Sequence, residues 1–225
     1  MRYQLSISID NAGLGALYAG DLAVTIVKGA LGEARPIVWQ QFQPFEENAV
    51  AWTDEYDLFA TTTPLQPGEV IFPNSITGGA ANRGWTYAFA QGQFAGAPGG
   101  PGEAYSVLNR DGRPLGFGLM QRAGANNVPV FAPVAATMLD DGVTGSFLPV
   151  DAVLVFVSPL AGGAGLVLGE IPPGALAVAL TPARPIATLG YRDATRTFFP
   201  IGESAAAEAF EPARAIAARL ASTRI

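Results

Sequence analysis

The stretch AVAWTDEYDLFATTT, residues 49–63, holds the densest acidic chemistry in the chain: Asp54, Glu55 and Asp57 follow closely on Glu46 and Glu47. Read with a period of two, Asp54 shares a face with Val50, Trp52, Tyr56, Leu58 and Ala60. A carboxylate on such an apolar face holds its proton more tightly than in water and could serve as a general acid or base. Several carboxylates at a strand's start could instead hold Ca²⁺, although no EF-hand spacing is present. The pattern favours a third reading, a β-bulge at Thr53–Asp54. One extra residue there would turn Asp54 outward and leave Trp52 and Tyr56 facing the core.

Three further sets of residues could carry chemistry. Lys28 is the chain's one lysine and could form a Schiff base, but it precedes GALGEARP at a strand end and reads as a solvated turn residue. In SITGGAANRGW (75–85), Gly78 and Gly79 offer backbone N–H groups to an anion, without the Lys-Ser/Thr of a P-loop. This segment, with Asn82 and Arg83, reads as a long loop at one end of the fold. Together with AGAPGGPGE (95–103) it is the expected place for a ligand or partner. The aromatic residues Trp39, Trp52, Trp85, Tyr87 and Tyr105 alternate with polar residues and so face a core; exposed, they would stack on sugars or apolar ligands. The expected ligand-binding residues are Asp54, Tyr56, Asn82, Arg83 and Trp85. No catalytic or metal-ligating residue is assigned, and no cofactor is expected apart from the calcium alternative.

Composition narrows the chemistry. The chain has no Cys and no His, which excludes disulfides, thiolate catalysis, the Ser-His-Asp triad and nearly all zinc or copper sites. Net charge is −6, and the twelve arginines are scattered with no basic block, so nucleic acid is not an expected partner. Charged residues make up only 14% of the chain; such a weakly hydrated surface could associate with itself or with an apolar partner, but a large core with many turns is the favoured explanation. The start, MRYQLSISID, alternates and does not read as a signal peptide. Residues 152–169 are uncharged, but Pro159 and several glycines break them and no basic residue flanks them; they read as two strands around a turn. A cytoplasmic location is the expectation.

Strand signals run through the first two hundred residues. YQLSISI places Tyr3, Leu5, Ile7 and Ile9 on one face, and NAGLG reads as a turn. DLAVTIVK, PIVWQQF, EVIF, WTYAFAQGQF and GLVLGEI read as strands, and AYSVLN with LGFGLMQ as a hairpin about Asp111-Gly112. Gly116 and Gly118 share a face that another backbone or a ring could approach closely. AVLVFVS, apolar on both faces, reads as a central strand. The expected fold is mainly β: an antiparallel β-sandwich of about ten to twelve strands over residues 1–201. A C-terminal α-helical segment, 202–225, is expected to pack on it, with Ser204 capping a first turn and Pro212 in the first turn of a second segment.

Three classes of function fit this reading. The favoured one is a non-catalytic binding or self-assembling protein, acting as a homo-oligomer or on an apolar or sugar ligand. The alternatives are a membrane-active, pore-forming sandwich and an enzyme using carboxylates or Tyr on a hydrophobic substrate.

Overall fold

The computed structural model describes residues 1–31, 35–160 and 162–202. The helical segment expected over 202–225 falls outside the described residues save for Gly202. Along the chain run β1 (Arg2–Ser8), α1 (Asn11–Ala19), β2 (Leu22–Leu31), β3 (Val38–Phe42), β4 (Glu47–Thr53) and β5 (Asp57–Thr61). Then come β6 (Ser75–Ile76), β7 (Trp85–Ala90), β8 (Gln93–Pro98), β9 (Tyr105–Asn109), β10 (Leu115–Ala125) and β11 (Val128–Leu139). The last strands are β12 (Thr144–Pro159), β13 (Leu176–Ala179), β14 (Ile186–Arg192) and β15 (Thr197–Pro200).

They form two sheets that do not close into a barrel. One has 8 strands and contains β1, β4, β5, β10, β11 and β14; the other has 7 and centres on β12. The sheets are mixed and not purely antiparallel as expected, because β1 runs parallel to β14 and β7 parallel to β9. The period-two pattern of β1 is realised: Tyr3, Leu5, Ile7 and Ile9 are buried between the sheets with Val50, Trp39, Phe117 and Val155. Such alternation fixes register, since a one-residue slip would turn every apolar side chain to water.

Several local expectations are corrected. NAGLG lies within α1, a helix and not a turn: the Asp10 side chain accepts from the Gly13 N–H at 2.7 Å, and Leu14 and Leu17 face the core. Two glycines hide this helix in the sequence, but Gly13 leaves the space that the Tyr191 ring fills. EVIF and GLVLGEI form only isolated bridges, Val70 with Leu166 and Ile37 with Val167. AGAPGGPGE is not all loop: its first residues lie in β8, which pairs with β7. Because β8 ends its sheet, Pro98 can sit there without removing a ladder bond. The turn at Asp111-Gly112 exists, with Gly112 at φ +76°, but β9 and β10 belong to different sheets, so it is a crossing between layers and no hairpin. At Gly118 a Cβ would strike the Ala135 carbonyl oxygen and the Phe59 ring, the close approach its strand pattern anticipated. β12 is central as expected and pairs with β2, β9 and β13.

Both outer faces are partly roofed. Ile37, Leu65, Ile71 and Val167 cover Phe59 and Met120 on the 8-stranded sheet, while Ile171 packs on Val27, Leu154 and Phe156 of the other. No helix among the described residues is long and apolar enough to cross a membrane.

Candidate functional site

β4 and β5 are one interrupted strand. Both pair with the same edge of β10, whose other edge is taken by β11. The partner pairs on either side of the gap are Ala123–Trp52 and Met120–Asp57. Between them β10 has Gln121 and Arg122, whereas the facing segment has Thr53, Asp54, Glu55 and Tyr56. The one-residue bulge expected at Thr53–Asp54 is therefore an insertion of two residues. An even insertion preserves the alternation: Trp52 and Tyr56 both remain buried, while the chain leaves the ladder at Asp54.

On the inner side of this gap lies the largest correction to the sequence reading. Lys28 is not a solvated turn residue. It is only 4% exposed, within β2, with its ammonium between the sheets. Lys28 Nζ donates to Gln121 Oε1 at 2.9 Å. It lies 5.4, 5.2 and 5.1 Å from the ring centres of Trp39, Trp52 and Tyr56. Those distances are within cation–π range, and desolvation strengthens that attraction. Gln121 Nε2 in turn donates at 2.7 Å to the Thr53 carbonyl, the group that the gap deprives of a ladder partner. The single lysine thus holds the gap shut from within.

The expected ligand-binding residues are distributed around this network. Tyr56 packs inside against Lys28 and Tyr105. Asp54 is bonded to Arg83 at 2.8 Å, and Arg83 also stands 3.7 Å from Glu103 and 5.8 Å from the Tyr105 ring centre. Burial lowers the Arg83 pKa, but Tyr105 and Asp54 raise it by more, and the guanidinium keeps its charge. Burial raises the Tyr105 phenol above its ordinary value, against the pull of Arg83. Asn82 gives its backbone N–H to the Tyr87 hydroxyl at 2.7 Å, and Trp85 lies half-buried beside Tyr87. Asp54, Asn82, Arg83 and Trp85 therefore tie the 75–85 loop to the sandwich rim. The acidic cluster is dispersed, with Glu46 and Glu47 at the far end of β4. Among the described residues no group of three or more acidic side chains could hold a metal ion.

The outer side of the gap is open. The odd-numbered residues Thr53, Glu55 and Asp57 line a pocket of about 280 Å³, closed by Thr77, Gly78 and Arg122. Residues 75–81 bring the pocket wall against β5: Thr77 N–H donates to the Leu58 carbonyl at 2.9 Å and Ala81 N–H to the Tyr56 carbonyl at 2.7 Å. The Thr77 hydroxyl accepts from Leu58 N–H at 3.1 Å and donates to Asp57 Oδ1 at 3.2 Å. Burial raises the Asp57 pKa, the Thr77 hydrogen bond and Arg122 oppose it, and Glu55 adds to the rise. Thr53 and Arg122 also line a broader groove of about 680 Å³ across β1, β4 and β10. Its floor is small and flat, with Ala49, Ala51 and Gly124, and its polar groups come from Arg2, Gln4 and Asn127. The β10–β11 turn, Asn126–Asn127, stands at positive φ in both residues and is pinned to β4 by an Asn126 side chain accepting from Ala49 N–H.

Asp57, Thr77, Arg122 and Arg2 were not among the expected ligand-binding residues. Asp57 carried one signal: a carboxylate entering a segment, DLFAT, that is apolar on both faces. The others carried none, because only the register brings Arg2 and Arg122 to β4 together.

The fold and this cleft define the class, an open two-sheet β-sandwich with a polar cleft at a strand interruption. No protein-family model matches the chain, and no curated protein or solved structure matches it.

Proposed function

We propose that the protein is a non-catalytic binding β-sandwich whose ligand is a carbohydrate held at the gap between β4 and β5. The observation that carries this reading is a pair of adjoining hollows that share Thr53 and Arg122: a pocket where a buried carboxylate, Asp57, and an exposed guanidinium, Arg122, stand together, and the groove beside it. A carboxylate accepting from hydroxyls and a guanidinium donating to them are suited to a sugar, and the small floor lets a ring lie close to the backbone. The pocket holds no exposed aromatic or large apolar wall except Ile76, which disfavours an apolar ligand. Trp52 lines the groove and supplies a fluorescence signal.

The test is a titration of the protein with a panel of neutral and acidic oligosaccharides, followed by tryptophan fluorescence. Saturable binding is expected for at least one member. It should weaken about tenfold or more in Asp57→Ala, where a charged hydrogen-bonding group is lost, and persist in Arg113→Gln, far from the cleft. Binding by no member of the panel, or binding indifferent to Asp57→Ala, overturns the reading.

A second reading has a specific observation in its favour. Glu55 and Asp57 share the pocket, and Glu55 helps raise the Asp57 pKa, an arrangement that acid–base hydrolysis of a glycoside uses. Release of reducing ends from a bound oligosaccharide, lost in Glu55→Gln, would make this cleft an active site.

A further inference from the structure

We infer that the groove selects an acidic oligosaccharide, gripping its carboxylates between Arg2 and Arg122. This inference rests on the carbohydrate reading above and names the class of sugar.

The register places the two guanidinium-bearing residues. Arg2 of β1 pairs with Thr53 of β4, and Arg122 of β10 stands one residue beyond the Ala123–Trp52 pair, at the same level. They therefore flank β4 across two strand intervals, about 10 Å apart at the backbone. Both are exposed, and neither forms an ion pair among the described residues. Arg122 is braced by stacking on Phe131, its guanidinium 4.1 Å from the ring centre, so part of the entropy of ordering it is already spent. The chain carries a net charge of −6, yet among the described residues no Asp or Glu lines the groove itself, while Glu55 and Asp57 stand in the adjoining pocket beside Thr53 and Arg122. A groove lined by two arginines and by no acid of its own favours an anion, with Arg122 shared between that anion and the Asp57 carboxylate of the adjoining pocket.

Geometry argues for a sugar over other polyanions. β4 is paired on both sides, by β1 and β10, so an acidic peptide cannot add as a strand here. Two arginines without flanking lysines are too few phosphate contacts for a nucleic acid. The remaining polar groups, the Gln4 and Asn127 amides and the Thr53 hydroxyl, match the hydroxyls between the carboxylates of a polyuronate.

The experiment is calorimetric titration with three probes: tetragalacturonic acid, neutral galactotetraose and a glutamate hexapeptide. The acidic tetramer is expected to bind at least about tenfold more tightly than the neutral one, as charge-assisted hydrogen bonds exceed neutral ones. That preference should fall in Arg2→Gln and in Arg122→Gln, vanish in the double variant, shrink at high salt, and survive Arg192→Gln. Arg192 is stacked on Phe199 of β15, away from the groove. Equal binding of the two tetramers overturns the inference and leaves the carbohydrate reading standing. Equal binding of the hexapeptide and the acidic tetramer overturns the choice of a sugar. No binding of either tetramer overturns both.

Discussion

The two sides of one backbone gap are solved by opposite means. Inside, the missing ladder bonds are replaced by a closed network: the Thr53 carbonyl is met by Gln121, Gln121 by Lys28, and the Lys28 charge by three aromatic rings. Outside, the same interruption leaves Asp57 and Arg122 facing a cavity, where among the described residues Thr77 alone is hydrogen-bonded to the carboxylate. The difference fits the binding role proposed for the outer side. A buried polar network is worth having only when complete, because each unmet group costs its full desolvation. A cleft that must bind something keeps some capacity unspent.

The largest effect that would break this comparison comes from opening the inner network. Gln121→Leu removes the hydrogen bond from the Lys28 ammonium and the bond that Gln121 Nε2 gives to the Thr53 carbonyl. Losing a hydrogen bond to a charged group costs about 1.5–3 kcal/mol and stranding a buried carbonyl about 1–3 kcal/mol, and urea unfolding should read a loss of about 3–5 kcal/mol together. Lys28→Met removes the charge itself and should cost less, about 1–3 kcal/mol for the stranded amide oxygen. The pair Lys28→Met with Gln121→Leu should recover part of the loss, since two apolar side chains of similar length leave less unmet. Strict additivity of the two single effects would show that no closed network exists. A side chain 4% exposed should also resist amine-reactive reagents in the native protein and label only on unfolding.

The inner and outer sides differ as much in how far the sequence discloses them. Alternation in YQLSISI reports that Leu5 and Ile7 are inside, because that period is local. The same logic finds the irregularity at Asp54, since a carboxylate in an apolar row must be explained nearby. It misses Lys28, because residue type argues for solvent unless its partners are known, and Gln121 is brought to it only by the facing of two sheets. It misassigns the Asp111-Gly112 turn for a related reason: the dipeptide specifies a reversal, not the sheet to which the next strand returns. α1 is hidden by Gly13 and Gly15, whose poor helix propensity is overridden by the Asp10 cap and by packing. The cleft is the least legible part. Arg2, Thr53 and Arg122 lie far apart in the chain and become neighbours through the strand order β1, β4, β10.

A second test sharpens the contrast through pH. Burial raises the Asp57 pKa, so the folded protein holds that proton more tightly than the unfolded chain does. Its contribution is therefore most favourable below the ordinary aspartate value of about 3.9 and is lost as pH rises through the folded value. Asp57→Asn has no such loss. Its stability relative to the unsubstituted protein should rise from acid toward neutral pH and then level off, as followed by urea midpoints across the range. Arg122→Gln should widen that window, because Arg122 is one of the groups holding the Asp57 pKa down. A difference that stays flat with pH would mean that the outer carboxylate does not feel its burial.

The smallest effect belongs to the rim, where the two sides meet. Arg83 bonds Asp54 at 2.8 Å, but the pair is partly exposed, with side-chain accessibilities of 35% and 26%. Exposed pairs of this kind contribute about 0.2–1 kcal/mol, weakened further by salt. Arg83→Gln should therefore lower stability by no more than that, with the deficit shrinking at high ionic strength. The backbone bonds that seat the 75–85 loop, Thr77 to Leu58 and Ala81 to Tyr56, do not involve the guanidinium. Oligosaccharide affinity in Arg83→Gln should consequently match that of the unsubstituted protein. A severalfold loss of affinity would instead mean that the rim pair sets the position of the pocket wall, and that the closed inner side and the open outer side are coupled through Asp54.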